Sequence, residues 1–324
     1  SVIKIGLRCN VGQVTTDSRG IMFKGTESKP SKGDVSVGDI EIYPILKAAN
    51  LLKEERRENW VEKLPDLLGV KPLKYKLYYL PVLESFAEFA QNLPATKQGL
   101  YYSHRGGVLD QGIERTISVI ESMNAFLSEA HEEESEERKA LWEYAVYTAS
   151  LLFDVGKVFT KTIVTLRQRT KRIKIWNPFE GSMADFATHY SYDFSVENND
   201  MLRRQTTPAL AMLLMPKAGF SWLSSDKEIL RAWFALLQED YRQVTAWLST
   251  IPLIDAGIMD SYFTKYEKEL LKIDTSGIFQ DPFRQIKEVE IQKNPSKISL
   301  FSQRGESLSK LISETKKGIA STAV

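Results

Sequence analysis

Hydrophobic positions recur at helical spacing along most of this chain. The pattern predicts helices that begin near Tyr43, cover 58–68 and cover 76–92. Gly69 would end the second of these helices and Pro94 the third, because glycine favours the residue after a helix and proline cannot continue one. Further helices are predicted at 182–190, 205–215, 225–248 and 256–272.

Two longer helices are predicted at the centre of the chain. The first runs from about Leu109 to Ala130, and the second from Glu136 to Asp154. Ile113, Ile117, Ile120 and Met123 supply the apolar face of the first helix. Because the acidic loop between them is short, we expect these two helices to lie adjacent and antiparallel.

The two ends of the chain differ from this helical middle. Residues 1–40 are rich in Gly, Ser, Thr and Lys, with short apolar pieces that predict an irregular or β arm. The residues after Asn294 are polar and rich in Ser and Lys, which is typical of a flexible tail. The predicted organisation is therefore an arm over 1–40, a mainly α domain over 41–290 and a tail over 291–324.

Composition excludes several classes of protein. The 43 Lys and Arg residues balance 42 Asp and Glu residues, so no global charge draws the chain to nucleic acid or membrane. The single cysteine, Cys9, excludes an intramolecular disulfide and fits a reducing compartment. No apolar run approaches the ~20 residues of a membrane span, and no signal peptide is visible. We therefore expect a cytoplasmic protein without direct membrane insertion.

Five short motifs follow one another over about residues 75–270. They are Leu93–Thr96, His104–Gln111, Leu151–Lys157, Trp176–Gly181 and Phe220–Leu223. In this order they resemble the MobH-class relaxase domain, the TraI-type helicase/relaxase family of conjugative elements. The resemblance implies an all-α domain of the His-Asp (HD) metal phosphohydrolase superfamily. Chemistry of that kind needs a metal held by imidazoles and carboxylates, with an open position for water and phosphate.

The chain departs from this family at the positions that would hold the metal. His104 matches the first family histidine, and Asp154 matches the aspartate of the His-Asp pair. Gln111 and Phe153, however, stand where the family has histidines. Phenylalanine has no lone pair to donate, and a neutral amide oxygen is a poor ligand for a transition metal.

The remaining ligand positions are also incomplete. A downstream histidine is missing, since residues 205–207 read Gln-Thr-Thr. Asp260 is the better match for the final aspartate, and Asp255 is the alternative. His104, Asp154 and one of these aspartates would hold a hard cation only weakly. We therefore predict a vestigial metal site at His104, Gln111, Phe153, Asp154 and Asp260, with no catalytic residue, metal or cofactor.

A basic stretch follows the His-Asp position, and no acidic residue occurs between Val155 and Phe179. Its cations are Lys157, Lys161, Arg167, Arg169, Lys171, Arg172 and Lys174. The stretch could be a solvated helix face, contact an acidic partner or the protein's own acidic patch at Glu132–Glu137, or follow a phosphate backbone. Nucleic acid is the least favoured of these, because stacking aromatics are not interleaved with the cations.

These observations predict a non-catalytic, relaxase-like scaffold or adaptor subunit in the coupling complex of a type IV secretion or conjugation machine. Its partners would be protein subunits of that assembly, which would bring it to the cytoplasmic face of the inner membrane. The alternative is an enzyme, a metal-dependent nuclease or phosphohydrolase with a reduced ligand set. A third hypothesis is a DNA-binding accessory without catalysis.

Overall fold

A computed structural model describes residues 14–17, 20–23, 35–37, 40–97, 101–130, 135–197, 199–245 and 248–261, with side chains from residue 40 onward except 124–130. The chain divides into two compact units, Ser1–Ile258 and Met259–Val324. The predicted tail lies outside the described residues. The predicted boundaries at 40/41 and 290/291 stay predictions.

The prediction of a mainly helical fold is confirmed. The helices are α1 (Ala48–Leu52), α2 (Glu55–Leu68), α3 (Pro72–Lys74), α4 (Leu80–Ala90), α5 (Gly107–Ala130), α6 (Glu136–Leu152), α7 (Val155–Lys161), α8 (Asp200–Leu214), α9 (Lys217–Leu223), α10 (Lys227–Leu237) and α11 (248–261). A π-helical turn joins α3 to α4. Gly69 ends α2 with a φ of 61°, the left-handed conformation that glycine adopts without steric cost.

A small antiparallel sheet accompanies the helices. Its strands are β3 (Val35–Val37), β4 (Ile40–Pro44), β5 (Thr162–Gln168), β6 (Lys171–Ile175) and β7 (His189–Phe194), in the order β3-β4-β7-β5-β6. Strands β1 (Val14–Asp17) and β2 (Gly20–Phe23) form a separate antiparallel pair. The predicted β character of the N-terminal arm is thus confirmed, and Tyr43 of β4 pairs with Tyr190 of β7.

The structure corrects four predicted elements. The helix predicted to begin near Tyr43 starts only at Ala48, because Tyr43 pairs within the sheet as part of β4. The helix predicted at 182–190 is wrong, because a short 3-10 turn at Met183–Asp185 is followed by β7. The helix predicted at 225–248 ends at Leu237, and Glu239 then adopts a positive φ of 59°, which interrupts the helix. The helix predicted at 256–272 begins earlier, at 248, and is described only to 261.

The central helices pack as predicted. Arg115 Nε, near the start of α5, donates to the Ser150 carbonyl oxygen at the end of α6 over 2.6 Å. Since a short connection joins the other ends of α5 and α6, the two helices are antiparallel. The buried Trp233 of α10 donates its indole N–H to Thr148 Oγ1 of α6 (3.0 Å). This bond satisfies a polar group that burial would otherwise leave costly.

Helix α7 lies close to α8 at Gly156. A Cβ atom added there would lie 2.3 Å from Thr207 Oγ1 and 2.5 Å from the Arg203 carbonyl oxygen. We expect Gly156→Ala to lower the free energy of unfolding by about 1–3 kcal/mol, the usual cost of overpacking. Chemical denaturation followed by tryptophan fluorescence measures this change.

Gly257 in α11 is the matched control, because nothing lies within 4 Å of its added Cβ. Gly257→Ala should be neutral or stabilise the protein by about 0.5–1 kcal/mol, since alanine is the better helix former. Equal stability of the two variants would show that α7 and α8 are not in close contact at Gly156.

Candidate functional site

Asp154 lies between α6 and α7, where three cationic side chains surround its carboxylate. Lys157 Nζ donates to Asp154 Oδ2 over 2.5 Å, and Arg115 Nη1 lies 3.8 Å from the same oxygen. Arg203 Nη1, from α8, lies 3.5 Å from Oδ1. The Asp154 side chain is only 13% exposed. Both carboxylate oxygens therefore face protein cations rather than open space.

The ionisation of this cluster follows from its charges. Burial would raise the pKa of Asp154, but the charges of Lys157, Arg115 and Arg203 outweigh burial and hold this pKa below its usual value. Burial would lower the pKa of Lys157, but the charge of Asp154 dominates and raises it. The carboxylate and the ammonium are thus both ionised at neutral pH and compensate each other.

Arg115 connects Asp154 to a second buried carboxylate, Asp255 of α11. Arg115 Nη1 donates to Asp255 Oδ1 over 2.7 Å, and Gln111 Nε2 donates to the same oxygen over 3.3 Å. The Arg115 guanidinium also lies 5.4 Å from the centre of the buried Phe153 ring, a cation–π distance. Phe153, Asp154 and Asp255 thus share one arginine, and Gln111 joins them through its bond to Asp255.

A small, partly open cleft adjoins this cluster. Gln111, Arg115, Asp154 and Lys157 form its polar wall, and apolar side chains such as Phe86 and Leu151 form much of the rest. The polar groups that line the cleft are already joined to one another by the ion pairs described above. The cleft therefore presents little uncompensated charge to a ligand.

His104 belongs to a different cluster. Its Nε2 lies 2.7 Å from Asp110 Oδ2, and Asp110 is also paired with Arg57 and, over 2.9 Å, with Arg56. Burial would raise the pKa of Asp110, but the hydrogen bond with His104 and the two arginine charges hold it below its usual value. Gln111 is next to Asp110 along α5, but it contacts Asp255 and not this cluster.

Of the predicted site residues, Phe153 and Asp154 both lie against Arg115, and Gln111 joins them through Asp255, whereas His104 pairs with Asp110. Asp255, the alternative to Asp260, is buried in this cluster. Asp260 is exposed and lies beyond Ile258, where the first compact unit ends, so its part in a site stays a prediction.

The sequence analysis named Lys157 only as part of the basic stretch, and it missed Arg115 and Arg203 as partners of the carboxylates. Arg115 follows Gln111 by four residues and therefore shares its helix face, so a signal for it was present. Arg203 and its partner Glu239 gave no such signal, because only the packing of α8 against α7 brings Arg203 to Asp154.

The donor set does not fit the metal that the family resemblance implies. Asp154 and Asp255 are engaged by cations, His104 by Asp110, and Phe153 offers no donor atom. Among the residues that the structure describes, no group of three or more His, Cys, Asp or Glu side chains is arranged to hold a metal ion. A bound cation would have to displace Lys157 or Arg115 from a buried carboxylate, which is electrostatically unfavourable.

The seven cations of the basic stretch are spread over α7 and the β5–β6 hairpin. Four have partners: Lys157 with Asp154, Lys161 with Asp200, Arg167 with Ser191, and Lys174 with Glu180. The other three, Arg169, Lys171 and Arg172, are exposed at the hairpin turn and form no ion pair with a described residue. We call these three the hairpin cations. The stretch is thus not a helix face.

Comparison with protein families agrees with the fold and the motif order. Residues 43–247 match the TraI_2 family model, whose description is "putative helicase". The chain therefore belongs to the TraI_2 family, whose members are related to conjugation. No curated protein matches the sequence significantly. No helix within the described ranges combines the length and apolar character that a membrane crossing needs.

Proposed function

We propose that this protein is a non-catalytic, HD-like member of the TraI_2 family that serves as a scaffold or adaptor subunit. It would act on the cytoplasmic side of a type IV secretion or conjugation coupling complex, bound to the inner-membrane face through protein partners. One observation supports this proposal above the others: protein cations surround the Asp154 carboxylate at the position where family chemistry would need a metal.

Electrostatics explains why this arrangement opposes catalysis. A metal site needs carboxylates whose charge is free to compensate a divalent cation. Here Lys157 and Arg115 already supply positive charge to Asp154 and Asp255, and a metal beside them would experience repulsion. The cluster instead joins α5, α7, α8 and α11, so its contribution is to the stability of the fold.

Metal binding and DNA nicking test the non-catalytic part of the proposal. Isothermal titration of the purified full chain with Mn²⁺ should show no stoichiometric binding, and supercoiled plasmid should not be nicked with Mn²⁺ present. Phe153→His should not change either result, because one restored imidazole leaves Asp154 paired with Lys157. Stoichiometric Mn²⁺ binding with nicking by the wild-type protein would instead establish the metal-dependent nuclease.

Purification from native cells tests the adaptor part. The tagged full chain should co-purify with protein subunits of the secretion or conjugation assembly after nuclease treatment, since the association would not depend on DNA. Recovery of the chain without these subunits would contradict the adaptor role, whatever the outcome of the metal titration. Loss of the subunits on nuclease treatment would favour a DNA-binding accessory.

A further inference from the structure

Strand β6 is the last strand of the five-stranded sheet, and no strand of the described residues pairs with its outer side. The Trp176 N–H, directly after β6, donates to the Val164 carbonyl oxygen of β5 over 2.8 Å. Because main-chain groups alternate in direction along an antiparallel strand, the Ile175 N–H and C=O point to the open side. These groups can therefore bond to a further strand.

The same edge exposes apolar side chains. Ile163, Ile173 and Ile175 are 41%, 46% and 53% exposed. Ile163 and Ile175 also line an open groove, together with Val158, Phe159, Thr162, Val164, Trp176 and Pro178. A groove with a mostly apolar lining beside an open strand suits an extended peptide whose alternate side chains are apolar.

The charge at this edge selects among occupants. The hairpin cations lie at the start of β6 and at the turn before it, exposed and without a described ion-pair partner. The β6 edge of a second copy of this chain carries the same cations, so it offers no charge complementary to them. The hairpin cations and the apolar groove lie towards opposite ends of the β5–β6 hairpin. Nucleic acid would use only the cations, because phosphates gain nothing from apolar contacts. An acidic segment complements both features.

We propose that β6 and the adjoining groove bind an extended acidic segment of a partner protein by strand addition. Apolar side chains of this segment would occupy the groove, its carboxylates would contact the hairpin cations, and its main chain would bond to Ile175. The inference rests on the adaptor function proposed above and specifies the kind of partner. The bulge in β6 after Arg172 limits regular pairing to the part that contains Ile175.

Selection from a displayed library of random peptides on the full-length protein tests this proposal. The enriched peptides should alternate acidic and apolar residues, and a synthetic peptide of the consensus should bind in fluorescence anisotropy. Ile175→Pro removes one outward N–H but no internal sheet bond, so it should weaken binding by about three- to tenfold. Ile175→Val, which keeps the N–H, should bind almost as well as the wild type.

Charge reversal at the hairpin cations is a second test of the proposal. Lys171→Glu with Arg172→Glu should weaken binding of the acidic peptide by about tenfold or more at low salt, and by less as salt rises. Lys227→Glu with Arg231→Glu makes the same change of charge at exposed positions of α10 and should leave binding unaltered. Unchanged thermal melting of each variant shows that the fold is intact.

Several results would overturn the proposal. The first is a library selection that enriches basic peptides or gives no consensus. The second is peptide binding that Lys171→Glu with Arg172→Glu does not alter. The third is preferential binding of a single-stranded oligonucleotide that the same double variant abolishes. Self-association abolished by Ile175→Pro would instead identify a second copy as the occupant. If Ile175→Pro and the Lys171→Glu, Arg172→Glu double variant still co-purify with assembly subunits, the strand-addition proposal fails while the adaptor role stands. If the wild type recovers no subunits, the adaptor role itself fails.

Discussion

Arg115→Met should lower the free energy of unfolding by about 3–5 kcal/mol, the cost of removing one partner from a buried ion pair. Arg115 is only 2% exposed and contacts Asp255, Asp154 and the Ser150 carbonyl oxygen. Its removal leaves Asp255 without its ion-pair partner and weakens compensation of Asp154. Urea denaturation followed by tryptophan fluorescence measures this effect, because all tryptophans lie between residues 60 and 247, in the first compact unit.

Two further variants test the cause of that loss. Arg231→Met removes an exposed arginine from α10 and should change stability by less than about 0.5 kcal/mol. Adding Asp255→Asn to Arg115→Met should recover part of the loss, because it removes a buried charge that has lost its ion-pair partner. If the double variant is as unstable as the sum of the single variants, the ion pair does not account for the effect.

Arg57→Met should have an effect of similar size at a different place, about 3–5 kcal/mol. Arg57 is fully buried, pairs with Asp110 of α5, and donates to the Leu51 and Gly106 carbonyl oxygens. These bonds thereby stabilise the packing of α2 against the start of α5. Arg56→Met, which removes a partly exposed partner of the same carboxylate, should cost less.

The pH dependence of the free energy of unfolding distinguishes loss of the Asp110 ion pairs from loss of packing. The pKa of Asp110 is held low in the folded protein, so its ion pairs contribute stability above the usual aspartate pKa. That contribution is lost as pH falls through the folded-state pKa. The stability difference between the wild type and Arg57→Met should therefore be largest near neutral pH and shrink as pH falls through the pKa of Asp110. A parallel shift of stability at every pH would show that only packing was lost.

Local patterns predicted the helices well because helical contacts are local. Side chains three and four residues apart share a face wherever the helix packs, so the apolar stripe from Ile113 to Met123 was sufficient to identify α5. Gly69 likewise identified the end of α2 through its own backbone preference. The motif order also identified the TraI_2 family, which rests on residue types and spacing.

The sheet was harder to predict, although part of its signal was present. Val164 and Leu166 are buried in β5 while Ile163 is exposed, the period of two that a strand requires. The cations from Lys157 to Lys174 indicated a charged surface instead of a strand pair, and the β5–β6 hairpin was not predicted. The pairing of β4 with β7 joins distant parts of the chain, and no local pattern specifies such a pairing.

The sequence by itself determined the donor atoms at the predicted site: Phe153 has none, and Gln111 offers only an amide group. Only the tertiary structure decided which side chains surround Asp154, because ion pairs depend on how helices pack. It brought Arg115 of α5, Lys157 of α7 and Arg203 of α8 to Asp154, and it paired His104 with Asp110 instead. A list of residues contains the charges, but their compensation depends on distances of a few ångströms between segments far apart in the chain.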